Sequence, residues 1–216
     1  MSDKSNKFGY VGADIPAQSF GNNKGVFNPA EINELVADNK WTQYGQLELI
    51  QTQEVTSSTA AVDFTDLGNY NVHFMTFNNF SSTQDAEILQ PLLSNNGGST
   101  FLNSGYQIAG QTGDSVGNFS ESRSTTFTSL GILGKSGTGS NEHSGSYAYF
   151  YGLLDSTKYS FLTSHQIAWN DQPEAEFRYY SAVKPTAEVH NAIRLTGGLG
   201  NIATLNVSLY GIKEYA

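Results

Sequence analysis

Apolar and polar residues alternate along most of this chain with a period of two, the signature of strands that bury one face. Leu47 and Leu49 share one face of 46–55, and Tyr70, Val72 and Phe74 alternate with Asn71, His73 and Met75. Tyr159, Phe161, Thr163, His165 and Ile167 share a face of 159–169, while Phe177 and Tyr179 alternate with Arg178 and Tyr180. In the segment from Tyr147 to Leu153, tyrosines oppose Ala148 and Phe150. It is apolar on both faces, so it reads as a central strand with Tyr149 and Tyr151 in the core. Near the C-terminus, 189–195 runs through Thr196-Gly197-Gly198-Leu199-Gly200-Asn201 into 202–212, a spacing that predicts a hairpin. Weaker strands are expected at 60–64, 86–93, 105–112 and 124–133. Together these predict an all-β fold, a jelly-roll-like antiparallel β-sandwich of about 8–10 strands.

The pattern changes near residue 42. Residues 1–7 are polar, and 8–24 hold three Gly, one Pro and two adjacent Asn with no helical or strand period. Asn28 is suited to cap a helix, Pro29 to its first position and Glu31 to reach back to the cap, while Phe27 and Ile32 are spaced as a hydrophobic staple. The spacing predicts a helix over 29–39, with Ile32, Leu35 and Val36 on one apolar stripe. A helix of three turns is marginal alone in water. Ordering such an arm costs ~1–2 kcal/mol per residue in backbone entropy, so it needs a surface to lie on, either its own β body or another protein. The chain therefore divides into a docking arm, 1–42, and a β-sandwich domain, 43–216. Phe20, Phe27, Ile32, Leu35, Val36 and Trp41 are the expected docking side chains.

Composition narrows the class. Ser, Thr, Asn and Gly make up 83 of 216 residues and charged residues only 14%, which fits the polar, uncharged faces and turns of a particle or extracellular surface better than a cytosolic enzyme. No cysteine is present, so thiolate metal sites and disulfides are excluded and packing alone must hold the core. The net charge is −9 and no basic cluster occurs, which argues against nucleic acid as a partner. The N-terminus has no apolar leader, and no apolar run reaches the 18 residues or so of a membrane span. These features predict a protein made in a cytoplasm that does not cross a membrane.

The search for chemistry yields little. His73, His143, His165 and His190 are far apart without a metal-ligand spacing, and no nucleophile elbow or phosphate loop occurs. No catalytic residue, metal site or cofactor is expected. Asp63, Asp66, Asp85, Glu87, Glu174 and Glu176 could each serve in a glycosidase pair, but nothing in the sequence selects two of them. Asp171 to Glu176 lacks the rhythm of a calcium loop and reads as an acidic turn. Ser94–Ser99 and Gly134–Gly145 read as surface loops of the kind that carry binding. Trp169, Tyr179 and Tyr180 are the candidates for stacking on sugar rings.

Phe8-Gly9-Tyr10-Val11-Gly12-Ala13, Ile15-Pro16-Ala17-Gln18-Ser19-Phe20 and Gly25-Val26-Phe27, followed by a helix ending near Trp41, resemble the N-terminal segment of small virion proteins of tailed phages that infect marine bacteria. Leu49-Ile50-Gln51-Thr52-Gln53, Tyr70-Asn71-Val72-His73-Phe74 and Ser208-Leu209-Tyr210-Gly211-Ile212-Lys213 resemble the β body of the same group. The resemblance implies a non-enzymatic structural role, tail-fibre-like or head-decorating, without a cofactor. It also implies other virion proteins as partners, a homo-oligomer with a trimer favoured, and a host-surface glycan as a ligand to consider. The expected location is the virion, with synthesis in the host cytoplasm and release by lysis. The alternative is a carbohydrate-active jelly roll, a lyase or depolymerase.

Overall fold

The computed structural model describes residues 29–37, 46–169 and 172–214. The chain divides into two units, Met1–Gly45 and Gln46–Ala216. In the first, α1 spans Pro29–Ala37, with Glu31 in its first turn. Ile32 and Leu35 are half-buried and Val36 is exposed. The other expected docking residues, Phe20, Phe27 and Trp41, lie outside the described residues, as do the cap Asn28 and the last two residues of the expected helix.

The described residues of the second unit form twelve strands: β1 (Leu47–Val55), β2 (Ala61–Phe64), β3 (Val72–Ser82), β4 (Glu87–Ser94), β5 (Tyr106–Asp114), β6 (Phe119–Phe127), β7 (Gly134–Ser136), β8 (Ser144–Tyr151), β9 (Ser160–Trp169), β10 (Ala175–Lys184), β11 (Ala192–Gly197) and β12 (Ile202–Ile212). They form a large sheet, β1-β12-β3-β8-β9-β10-β5-β6, and a small one, β2-β11-β4-β7. Every pairing is antiparallel. β1 pairs β12, β2 pairs β11, β3 pairs β8 and β4 pairs β7. In each of the steps β1 to β2, β3 to β4, β7 to β8 and β11 to β12 the chain changes sheets. A nested double strand rolled over itself in this way is a jelly roll. Two insertions, β5–β6 and β9–β10, extend the large sheet beyond the roll as a four-stranded wing.

The number of strands exceeds the expected range, and one reason is local. Gly134–Ser136, read from the sequence as part of a loop, forms a short edge strand on β4. The C-terminal hairpin is also corrected. β11 and β12 belong to different sheets, so the Gly-rich turn between them carries the chain across the sandwich.

That turn is held by Glu87. Its carboxylate is buried and accepts the backbone N–H groups of Gly198 (2.9 Å), Leu199 (2.7 Å) and Gly200 (2.6 Å), together with its own neighbour Ile88 (2.8 Å). Three consecutive N–H groups converging on one anion form a nest. The glycines allow it because a Cβ on Gly198 would lie 2.7 Å from the Glu87 carboxylate.

The core lies between the sheets. Phe64, Leu89, Leu93, Ile193 and Leu195 of the small sheet meet Met75, Phe80, Phe150, Leu162, Leu205 and Leu209 of the large one, all essentially without solvent contact. Tyr106 enters the same layer. Its hydroxyl donates to Leu102 O and accepts from Leu93 N, both at 3.0 Å, and burial pushes its pKa up to about 12.

Replacing Glu87 by Ala strands the N–H groups of the turn and removes charge-assisted bonds worth about 1.5–3 kcal/mol each before compensation by water. The expected loss is about 3 kcal/mol, or about 6–12 °C in Tm for a body of this size. Differential scanning calorimetry of the variant measures it, and a fall of under about 2 °C would show that the turn does not depend on the carboxylate.

Candidate functional site

The small sheet covers the inner face of the large one, and no second sheet among the described residues of this unit covers the outer face. Alternation sorts the strands of the large sheet onto these two faces, and the result inverts the usual polarity. In β9 the inward side chains are Ser160, Leu162, Ser164, Gln166 and Ala168, all buried, while Phe161, Thr163, Ile167 and Trp169 are exposed. In β8 the inward pair is Ala148 and Phe150, and Tyr147, Tyr149 and Tyr151 point outward. The assignment of Tyr149 and Tyr151 to the core is thereby corrected. Tyr149 is half-buried and Tyr151 exposed on the outer face, because among the described residues the small sheet packs only on the inner side.

The inward serines have a reason to be polar. Beneath the wing runs 129–133, a segment that forms no strand although the sequence predicts one through 124–133. Its backbone groups must still be satisfied. Leu130 N donates to Pro91 O at 2.9 Å, Leu133 N to Leu89 O at 2.8 Å, and Ser164 Oγ donates to Ile132 O at 3.1 Å. Ser164 supplies that hydroxyl from the inner side of β9, and alternation places Phe161, Ile167 and Trp169 of the same strand outside.

On the outer face the rings form a connected series across the strands. Tyr210 meets Phe74 with ring centroids 6.2 Å apart, and Phe74 meets Tyr149 at 4.8 Å. Tyr149 adjoins Tyr147, which meets His165 edge-on at 5.6 Å. His165 stacks on Tyr179 at 4.1 Å and 12°. Phe177 follows Tyr179 at 5.5 Å, and Phe119 of β6 closes the series at 6.1 Å. A shallow groove of about 530 Å³ crosses the wing, floored by Thr163, Ser181 and Ala109 and walled by Tyr179. A second hollow of about 550 Å³, between Phe161 and Val183, adjoins it and shares Arg123.

The residues expected to stack on sugars separate here. Tyr179 is half exposed at 50% and stands on the groove wall. Trp169 is exposed at the end of β9, four residues along the strand from His165, so it is outside the groove. Tyr180 is only 2% exposed and faces the core, which removes it from any set of rings a ligand on the open face could touch. Tyr147, Tyr151, Phe161, Ile167 and Phe119 were not singled out as site residues. The polar inward series of β9 is the signal that could have found them. The two Gly/Ser/Asn loops, weighed for binding but read first as plain surface connections, are held by internal bonds. Ser94 Oγ bonds Asn96 and accepts from Gly98 N, and in the other loop Gly139 N donates to Glu142.

Three of the six carboxylates considered for catalysis are engaged in structural bonds. Asp63 forms a two-point ion pair with Arg194 at 2.7 Å, Glu87 holds the Gly-rich turn, and Glu176 is buried against Arg178 at 2.6 Å. Among the described residues no group of three or more His, Asp or Glu is placed to hold a metal ion. One arrangement resembles a catalytic triad: Ser160 Oγ meets His190 Nδ1 at 2.8 Å, and His190 Nε2 lies 3.3 Å from Glu188. In a hydrolase the serine meets Nε2 and the acid Nδ1. Here the ring is reversed, and Ser160 and His190 have no solvent contact, so the arrangement packs the core.

Comparison with family models, with curated proteins and with solved structures finds no match to this chain. No helix among the described residues is long and apolar enough to cross a membrane.

His73 and His190 are both fully buried. Burial lowers the pKa of each from 6.5; Lys184 lowers His190 further and Glu188 partly offsets this, while the bond to Leu67 O partly offsets it for His73. A depressed folded pKa means that the unfolded chain takes up the proton first. Stability is therefore complete above pH 6.5 and falls as pH drops below it, by up to about 1.4 kcal/mol per pH unit for each ring. Tm should fall between pH 7.5 and 5.5, by no more than about 10 °C for the two rings together, and His73→Asn and His190→Asn should each flatten the slope. A Tm constant across that range would refute the assignment.

Proposed function

We propose that this chain is a non-enzymatic structural subunit of a tailed-phage particle, anchored by the arm that precedes β1 and displaying the jelly roll on the head or tail surface. The observation that carries the reading is the nested topology, an arrangement common to viral capsid domains. The open sheet face, aromatic and nearly free of charge, supports it as a surface fitted to contact protein rather than to perform chemistry. The resemblance of both chain ends to small virion proteins points the same way. Three of its six candidate carboxylates, Asp63, Glu87 and Glu176, are each engaged in a different structural bond, which weighs against the carbohydrate-active alternative.

Anchoring falls to the helix stripe. Burying Ile32, Leu35 and Val36 on a partner would contribute ~5–8 kcal/mol. Leu35→Asp should leave the body's Tm within about 2 °C of the parent and remove the protein from purified particles, as read by mass spectrometry. Deleting 1–42 should do the same, while Glu34→Lys should be incorporated normally. Absence of the parent protein from particles would end the particle reading. A drop of many degrees in Tm for Leu35→Asp would place the helix in its own domain's core.

A further inference from the structure

We propose that the outer face of the large sheet is a twofold subunit interface, packed sheet on sheet against the same face of a second copy of this chain. The inference stands on the body alone and does not depend on the particle reading.

Charge is the first argument. The chain carries a net charge of −9, yet β3, β8, β9 and β12 contain no Asp, Glu, Lys or Arg. The charged residues of β10 point inward: Glu176 and Arg178 pair with each other, and Lys184 lies over the Tyr106 ring. Charges on the outer face are confined to its two rims, Glu54 on β1 and Glu121 and Arg123 on β6. An uncharged aromatic centre with a polar rim is the anatomy of a protein–protein interface.

Area is the second. Twelve large apolar side chains stand exposed among the described residues of this unit, and nine of them share this face. Ile167 is 65% exposed and Phe119 75%. Leu47 and Leu49 extend the face to the far edge, where Leu49 lies opposite Tyr210. At about half exposure, side chains of this size offer roughly 100 Å² apiece, ~900 Å² in all. The largest apolar patch of a monomer is about 300–600 Å², whereas a stable complex buries about 800 Å² per partner.

The shape of the patch selects the symmetry. It is one continuous sheet face, and two such faces stack about 10 Å apart with strands inclined by about 30°. A twofold axis makes a single face self-complementary. The trimer that the family resemblance implies would need two unlike apolar surfaces on each copy. A glycan is the competing occupant of the groove beside Tyr179, but it would leave Ile167, Trp169 and Phe119 in water.

Sedimentation velocity of the full chain from about 1 to 100 µM tests the proposal, and a species of twice the 23.4 kDa chain mass is expected. Ile167→Glu and, separately, Phe161→Lys would each bury a charge in the apolar interface and should raise the dissociation constant at least about 100-fold. Their circular dichroism spectra should be unchanged, since both positions are exposed. Ser99→Glu, exposed in the loop that follows β4 of the small sheet, should dimerise like the parent. A chain that stays monomeric to about 100 µM overturns the proposal. So does a trimer, or association that survives both substitutions. A monomer that binds a neutral glucan such as laminarin and loses it on Tyr179→Glu would assign the face to glycan instead.

Discussion

β12 lies between β1 and β3, and the large sheet holds together through it. The nested pairing puts this strand, among the last residues of the chain, against the first strand of the body, so the roll closes only when its two ends meet. Contacts of such sequence separation form late and make folding slow. The turn that feeds β12 is therefore a point of leverage. Glu87, near the middle of the roll, grips three successive N–H groups of that turn and joins the crossing to β4. A buried carboxylate is costly unless it is fully bonded, and this one is bonded by the backbone it positions.

The unequal size of the two sheets has a second consequence. Four strands cannot cover eight, so the wing β9-β10-β5-β6 is underlain in part by the irregular segment 129–133. Backbone that is not in a ladder needs other partners, and the inward hydroxyl of Ser164 provides one. Polar side chains are thereby drawn inside, and the same alternation carries Phe161, Ile167 and Tyr179 outside. The exposed aromatic face thus follows in part from what the interior of β9 must supply.

Much of the fold was legible in the chain. Period-two alternation marked the strands around β1, β3, β8, β9, β10 and β12, and the capping pattern at Pro29 marked α1. Partition between faces was also legible: the set Phe161, Thr163, His165 and Ile167 does share one face. What the pattern withheld was which face the core lies on. An apolar series is ordinarily taken as inward, and β9 breaks that expectation because its inward neighbours include an irregular backbone. Gly134–Ser136 was missed because three residues of Gly, Lys and Ser carry no strand signal; β4 beside them supplies the pairing. The turn at 196–201 was read correctly as a link between strands and incorrectly as a hairpin, since a Gly-rich turn looks the same whether its strands pair or part.

The sequence by itself determined the class, most of the strands and the alternation within them, because these rest on local properties: side-chain period, turn chemistry and the absence of cysteine. Only the tertiary structure decided the nesting of the strands, the sheet to which each belongs, the buried setting of Glu87 and His190 and the exposure of the aromatic face. Those are matters of which distant segment lies opposite which, and burial is set by the neighbour across the sandwich rather than by the residue itself.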